Sequence, residues 1–279
     1  MADFFAGRRG AEPGLAVFLT AGDPPADRLT GLVELLDERG VDCLELAVPF
    51  PDSVTDGPVL RRAADRALRR GTDADGVLAF VARVRPRLRR LRIALLADWR
   101  HTVRPAGERT FVRRVADAGA DGLLVHALPP RLRTAHLAHA ADAGLPVVTT
   151  CYATSPAPVR AAAARDAGAY VYLVAAYGRS GTAPEHGYAA LRAAVDGLRA
   201  AGPAPIAVGF GVRNAADVRQ IGAAGADAAV VGTAAALAVE RAERTGQDLL
   251  AGFDTFLRSM AIVSRPSQKG QTDDHPGTG

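Results

Sequence analysis

Short apolar runs and alanine- and arginine-rich helical stretches alternate eight times along this chain, and that alternation restricts its fold more than any single motif. The apolar runs occupy 15–20, 43–47, 92–98, 122–126, 146–150, 170–175, 205–209 and 228–232. Helical spacing marks 26–39, 109–118, 131–143, 159–167 and 215–224 between them. Strand alternating with helix implies parallel pairing. Four helices run into an alanine–glycine step, at Gly119, Gly144, Gly168 and Gly225, as left-handed helix ends require. At 279 residues the chain has the size of one α/β barrel, with no break in composition to mark a second domain. The pattern predicts a single (β/α)8 TIM barrel over residues 1–263, with a short N-terminal extension and a disordered tail over 264–279; a doubly wound open sheet is the runner-up. In a barrel, catalytic groups sit at the C-terminal ends of the strands.

The segment LELAVPFPDSVTDGP, residues 44–58, sets a lone glutamate inside an apolar strand and follows it with an acidic, proline-punctuated loop. Strand side chains alternate, so Glu45 shares a face with Cys43 and Ala47 while Leu44 and Leu46 point the other way. A carboxyl on a buried face is either paired or raised in pKa. A raised pKa suits a general acid working near neutrality. A structural glutamate satisfied by backbone donors is the alternative, and Asp56, in a loop able to swing over the same pocket, favours proton transfer.

Lysine occurs once, as Lys269 in the polar tail, so the body of the chain offers no amine for a Schiff base. The net charge of +4 comes from arginines interspersed with acids, and aromatics make up only 5%. Neither a basic face nor a stacking platform is evident, which sets nucleic-acid binding aside. No run reaches the length of a membrane span, and the N-terminus lacks the apolar core of a signal peptide. With Cys43 and Cys151 each in an apolar stretch, a reducing cytoplasm is the expected setting.

Glycine-bearing turns follow the sixth, seventh and eighth strands: YGRSG at 177–181, VGFGVRN at 208–214 and VVGTAAA at 230–236. Barrels commonly hold phosphate at the loops after the seventh and eighth strands, on backbone N–H groups at a helix N-terminus. The three turns together imply a phosphorylated small-molecule substrate.

From about residue 18 to 260 the chain resembles the α subunit of tryptophan synthase and its stand-alone relatives, the indole-3-glycerol-phosphate lyases. FLTAGDPP, 18–25, looks like that family's first strand and turn, and 45–58 looks like its signature, E-L-G-x-P-F-S-D-P-x-A-D-G-P. The resemblance implies a retro-aldol cleavage of indole-3-glycerol phosphate to indole and glyceraldehyde 3-phosphate, without cofactor or metal. It implies Glu45, Asp56 and Tyr172 as catalytic residues, and Phe18, Leu96, Leu124 and Phe210 as packing around indole. Gly181, Gly211, Gly232 and Thr233 fall on phosphate-binding positions, and Ser180 is expected to hydrogen-bond Asp56 as the loop closes.

Departures from the family concentrate at the pocket rim. Ala47, Pro51, Ser53 and Thr55 replace the usual signature residues, Asp98 and Arg100 stand for a tyrosine and an asparagine, and Ala127 stands for an aspartate used in coupling to the β subunit. Strand parity puts Asp98 on the face of Leu96 and His126 on that of Leu124, where they, with His101, could read a more polar aglycone or bind a metal, the latter being disfavoured by the absence of a tight motif. His136 and His139 are expected on an outer surface, and Arg100 and Arg179 as solvated rim charges, with a hand in holding phosphate as the alternative for either arginine. The lost aspartate suggests weakened or absent communication with a tryptophan synthase β subunit, so a stand-alone lyase is expected. The alternatives are an aldolase or isomerase using Glu45 on another phosphorylated substrate, and a catalytically silent regulatory subunit.

Overall fold

A computed structural model describes residues 4–5, 13–176, 178, 180–181 and 187–260. The expected tail at 264–279 lies outside them, as do Tyr177 and Arg179 of the sixth turn. Eight strands form one sheet: β1 (Gly14–Thr20), β2 (Cys43–Ala47), β3 (Arg92–Asp98), β4 (Gly122–His126), β5 (Thr149–Tyr152), β6 (Val171–Val174), β7 (Ile206–Gly209) and β8 (Ala228–Val231). All ladders are parallel, in the order β4-β3-β2-β1-β8-β7-β6-β5. A bridge between Leu123 and Val147 joins the two ends, with Leu123 N–H donating to the Pro146 carbonyl and Val148 N–H to the Leu123 carbonyl. The sheet therefore closes on itself, which excludes the open doubly wound alternative.

Helices follow every strand and cover the outside, among them Ala26–Glu38 after β1, Pro58–Arg69 after β2, Glu108–Asp117 after β3 and Thr233–Thr245 after β8. Period-2 alternation divides the core. Outward residues such as Val17, Leu44, Leu46, Ile93, Leu95 and Leu173 pack under the helices. The inner layer is lined by small residues, Ala16, Cys43, Ala94, Ala207 and Ala228, and the space they leave is filled by Phe4, Phe5 and Tyr170. Both phenylalanines meet Tyr170 edge-on, with centroids 5.2 and 5.4 Å apart. This plug closes the N-terminal end of the barrel. The C-terminal end stays open.

Two expectations shift. The fifth strand begins at Thr149 rather than Pro146: proline cannot donate to a ladder, and the Val147 carbonyl accepts from the N–H groups of Gly168 and Ala169 ahead of β6 rather than from a strand residue. Of the four alanine–glycine steps, Gly119, Gly144 and Gly225 have positive φ, but Gly168 does not. There the requirement is space: a Cβ on Gly168 would lie 3.2 Å from the Val147 nitrogen. Among the described residues no helix is long and apolar enough to cross a membrane.

Candidate active site

Glu45 points into the barrel from the middle of β2 and is 2% exposed. Its Oε1 accepts a 2.6 Å hydrogen bond from the Tyr170 hydroxyl, while Oε2 has no partner among the described residues. Burial raises the carboxyl to about 7, with the tyrosine bond pulling the other way. Tyr170 carries no role in the sequence reading, although it shares a face with Tyr172 and an inward tyrosine needs a polar partner.

Asp56 reaches the same cavity from the loop after β2. Its N–H donates to the Ser53 hydroxyl at 3.3 Å. Burial raises its carboxyl, opposed first by Ser53 and then by His126, Arg61 and Ser180. The two acids thus differ in company: Asp56 has hydroxyls, a histidine and an arginine that favour its ionised form, and Glu45 has one tyrosine.

Ser180 ties this loop to the turn after β6. Its hydroxyl accepts from the Gly57 N–H at 2.8 Å, and its own N–H donates to the Thr55 carbonyl at 2.9 Å. The approach is so close that a Cβ on Gly57 would stand 2.3 Å from the Ser180 carbonyl oxygen. Gly57 then caps a helix that starts with Pro58, a residue suited to a first turn whose N–H groups lack intrahelical partners.

Glu45, Asp56, Tyr172, Phe18, Leu96, Leu124, His126, Ser180 and Phe210 all line one cavity of about 400 Å³. Tyr172 fits because β7 carries glycine beside it: a Cβ on Gly209 would fall 2.1 Å from the Tyr172 hydroxyl. Burial, then Glu45 and Asp56, hold that phenol well above its ordinary pKa. Gly181, Gly211, Gly232 and Thr233 meet at one side of the same cavity. Helix Thr233–Thr245 starts at Gly232 without a side-chain cap, so its first N–H groups remain available to an anion. Phe210 has φ of 81°, a left-handed conformation costly for a non-glycine residue, and its carbonyl is held by the Tyr188 hydroxyl at 2.9 Å. Arg213, also on the lining, adds a side chain that is 67% exposed. The sequence reading gave it no function.

Asp98 is the site residue that the fold does not bring to the cavity. Although it lies on the inner face, its Oδ1 accepts from the backbone N–H of His101 and lies 2.8 Å from His101 Nδ1. That carboxylate caps the turn Trp99–Val103. Among the described residues, no group of three His, Cys, Asp or Glu side chains is arranged to hold a metal ion. Arg100 is exposed, as expected. His136 is not: it is 2% exposed, with Nδ1 3.0 Å from Glu108 Oε1. The reason is packing, since helix Arg133–Asp142 lies against helix Glu108–Asp117.

A closed parallel barrel with two acids, and a glycine cluster beside an uncapped helix start, at its C-terminal mouth has the layout of a barrel enzyme for a phosphorylated substrate. Residues 5–264 match the family model described as tryptophan synthase alpha chain. The tryptophan synthase alpha chain of a Cyanothece species is 34% identical over 94% of this chain and 97% of its own length. That of a Synechocystis species is 35% identical over 92% and 96%. A mutant tryptophan synthase alpha subunit from Pyrococcus furiosus superposes with a TM-score of 0.79 at 25% identity, covering 90% of this chain and 98% of that one. The chain belongs to the tryptophan synthase alpha chain family.

Proposed function

We propose that this lyase cleaves indole-3-glycerol phosphate to indole and glyceraldehyde 3-phosphate with Glu45 as the proton carrier. The observation that carries the reading is the half-held carboxyl of Glu45, one oxygen on Tyr170 and the other unpartnered among the described residues, in a cavity shared with Asp56 and the glycine cluster. Protonated Glu45 gives its proton to C3 of the indole ring. The ring cation so formed draws in the electron pair of the bond between C3 and the glycerol chain. As that bond breaks, the Glu45 carboxylate takes the proton of the adjacent hydroxyl, which becomes the aldehyde oxygen. Asp56, as a carboxylate, accepts the ring N–H and stabilises the positive charge that develops there, while neutral Tyr172 packs beside the ring. Backbone N–H groups at Gly181, Gly211, Gly232 and Thr233 hold the phosphate and so position C3 over Glu45.

Indole release by the purified protein, compared with Glu45→Gln, tests this. A loss of roughly 10²- to 10⁴-fold in kcat is expected in the variant. Equal rates would overturn it.

Members of this family in general pair with a β subunit. For this chain we propose a stand-alone lyase in the cytoplasm. Ala127, with φ of 55°, stands where the resemblance calls for the coupling aspartate, and the carboxylate of Asp98 is engaged by its own turn. Both cysteines are free and buried, which accords with a reducing setting. Adding a tryptophan synthase β subunit is expected to leave the rate of indole formation unchanged; strong activation would refute independence.

A further inference from the structure

The wall of the cavity formed by β4 and β5 is more polar than an indole ring requires. The bridge of Leu123 to Val147 sets an offset of 24 between these strands, which brings His126 level with Thr150, both facing inward. Tyr152 lines the cavity one step further toward the mouth. The His126 ring is not loose. It stacks on Phe50 with centroids 5.9 Å apart and planes 26° apart, and Phe50 stacks in turn on His101, whose ring is anchored on Asp98. Asp98 thereby steadies the pocket wall without touching its contents. Neither ring nitrogen of His126 nor the hydroxyl of Thr150 has a hydrogen-bonding partner among the described residues.

A plain benzo ring pressed against this wall would strip water from both groups and return no hydrogen bond. That cost is charged to the complex, and sites built to bond a polar group discriminate against ligands that lack it. From the placement of His126 and Thr150 we infer that this lyase selects an indole-3-glycerol phosphate bearing a hydroxyl or amino group on its benzo ring. The inference rests on the reading of Glu45, Asp56 and the glycine cluster as a retro-aldol site. It goes beyond that reading by naming the residues that set the choice of aglycone.

The test separates the two. Binding of indole-3-propanol phosphate, which has no hydroxyl to deprotonate and cannot be cleaved, is compared by calorimetry with its 4-, 5-, 6- and 7-hydroxy counterparts. The full chain, Thr150→Val and His126→Ala are measured, and indole release from indole-3-glycerol phosphate is followed in parallel. At least one hydroxylated analogue should bind the unaltered protein about tenfold tighter than the parent, as one added hydrogen bond of ordinary strength allows. In the near-isosteric Thr150→Val, or in His126→Ala, that preference should collapse toward one while the parent still binds. Parent affinity equal to or above all four counterparts, or a preference that survives both substitutions, would overturn the inference. Indole release without any hydroxyl preference sinks this inference and leaves the lyase; a hydroxyl preference with no cleavage upholds the wall and sinks the lyase.

Discussion

Burial lifts the Glu45 carboxyl from its ordinary 4.5 to about 7, because it penalises the charge more than one tyrosine bond relieves it. In that window the folded state binds more protons than the unfolded chain, so this group's contribution to stability is complete below about 4.5 and declines as pH rises through 7. The loss amounts to roughly 3 kcal/mol at pH 8. Urea midpoints at pH 5 and pH 8 should therefore converge in Glu45→Gln relative to the unaltered protein. Activity has the same sign, since the acid form begins the reaction: kcat/KM should fall as pH rises through 7. Tyr170 donates to the charged form, so Tyr170→Phe should move that falling limb to higher pH. A limb that stays put would show that Tyr170 does not govern the carboxyl.

At the scale of elements, the loop after β2 and the turn after β6 form one unit through Ser180, Thr55 and Gly57. Gly57→Ala places a methyl where the Ser180 carbonyl stands, so the turn must retreat and take Asp56 out of register. We expect kcat/KM to fall at least tenfold with little change in melting temperature, read by steady-state kinetics beside thermal unfolding. Unaltered kinetics would mean that the contact is incidental. Much at this scale was legible beforehand. The bounds of β2, β3 and β4 follow directly from apolar runs, and Glu45 on an inward face follows from parity. The fifth strand differs from its apolar run because the apolar residues start before its ladder does, and the burial of His136 is not legible because one helix alone does not reveal the neighbour that covers it.

For the whole molecule, a barrel lined by alanines depends on what fills its lower half. Phe4 is 2% exposed and lies edge-on to Tyr170, which in turn holds Glu45. Phe4→Ala should cost about 3–5 kcal/mol in chemical denaturation. It should also loosen Tyr170 enough to broaden the pH profile. A loss under about 1 kcal/mol would place the plug outside the cooperative core.

What the amino-acid sequence determined alone is local: which runs extend, which coil, which face each side chain takes, and that acids and glycine turns lie at strand ends. Such features depend on neighbours a few residues apart. Tyr170 meets Glu45 across a separation of 125 residues, Gly57 meets Ser180 across 123, and His126 reaches the level of Thr150 only through the closure of β4 on β5. Those meetings were decided by ladder register and barrel closure, because contacts between distant segments are set by how whole strands align, which short-range periodicity does not encode.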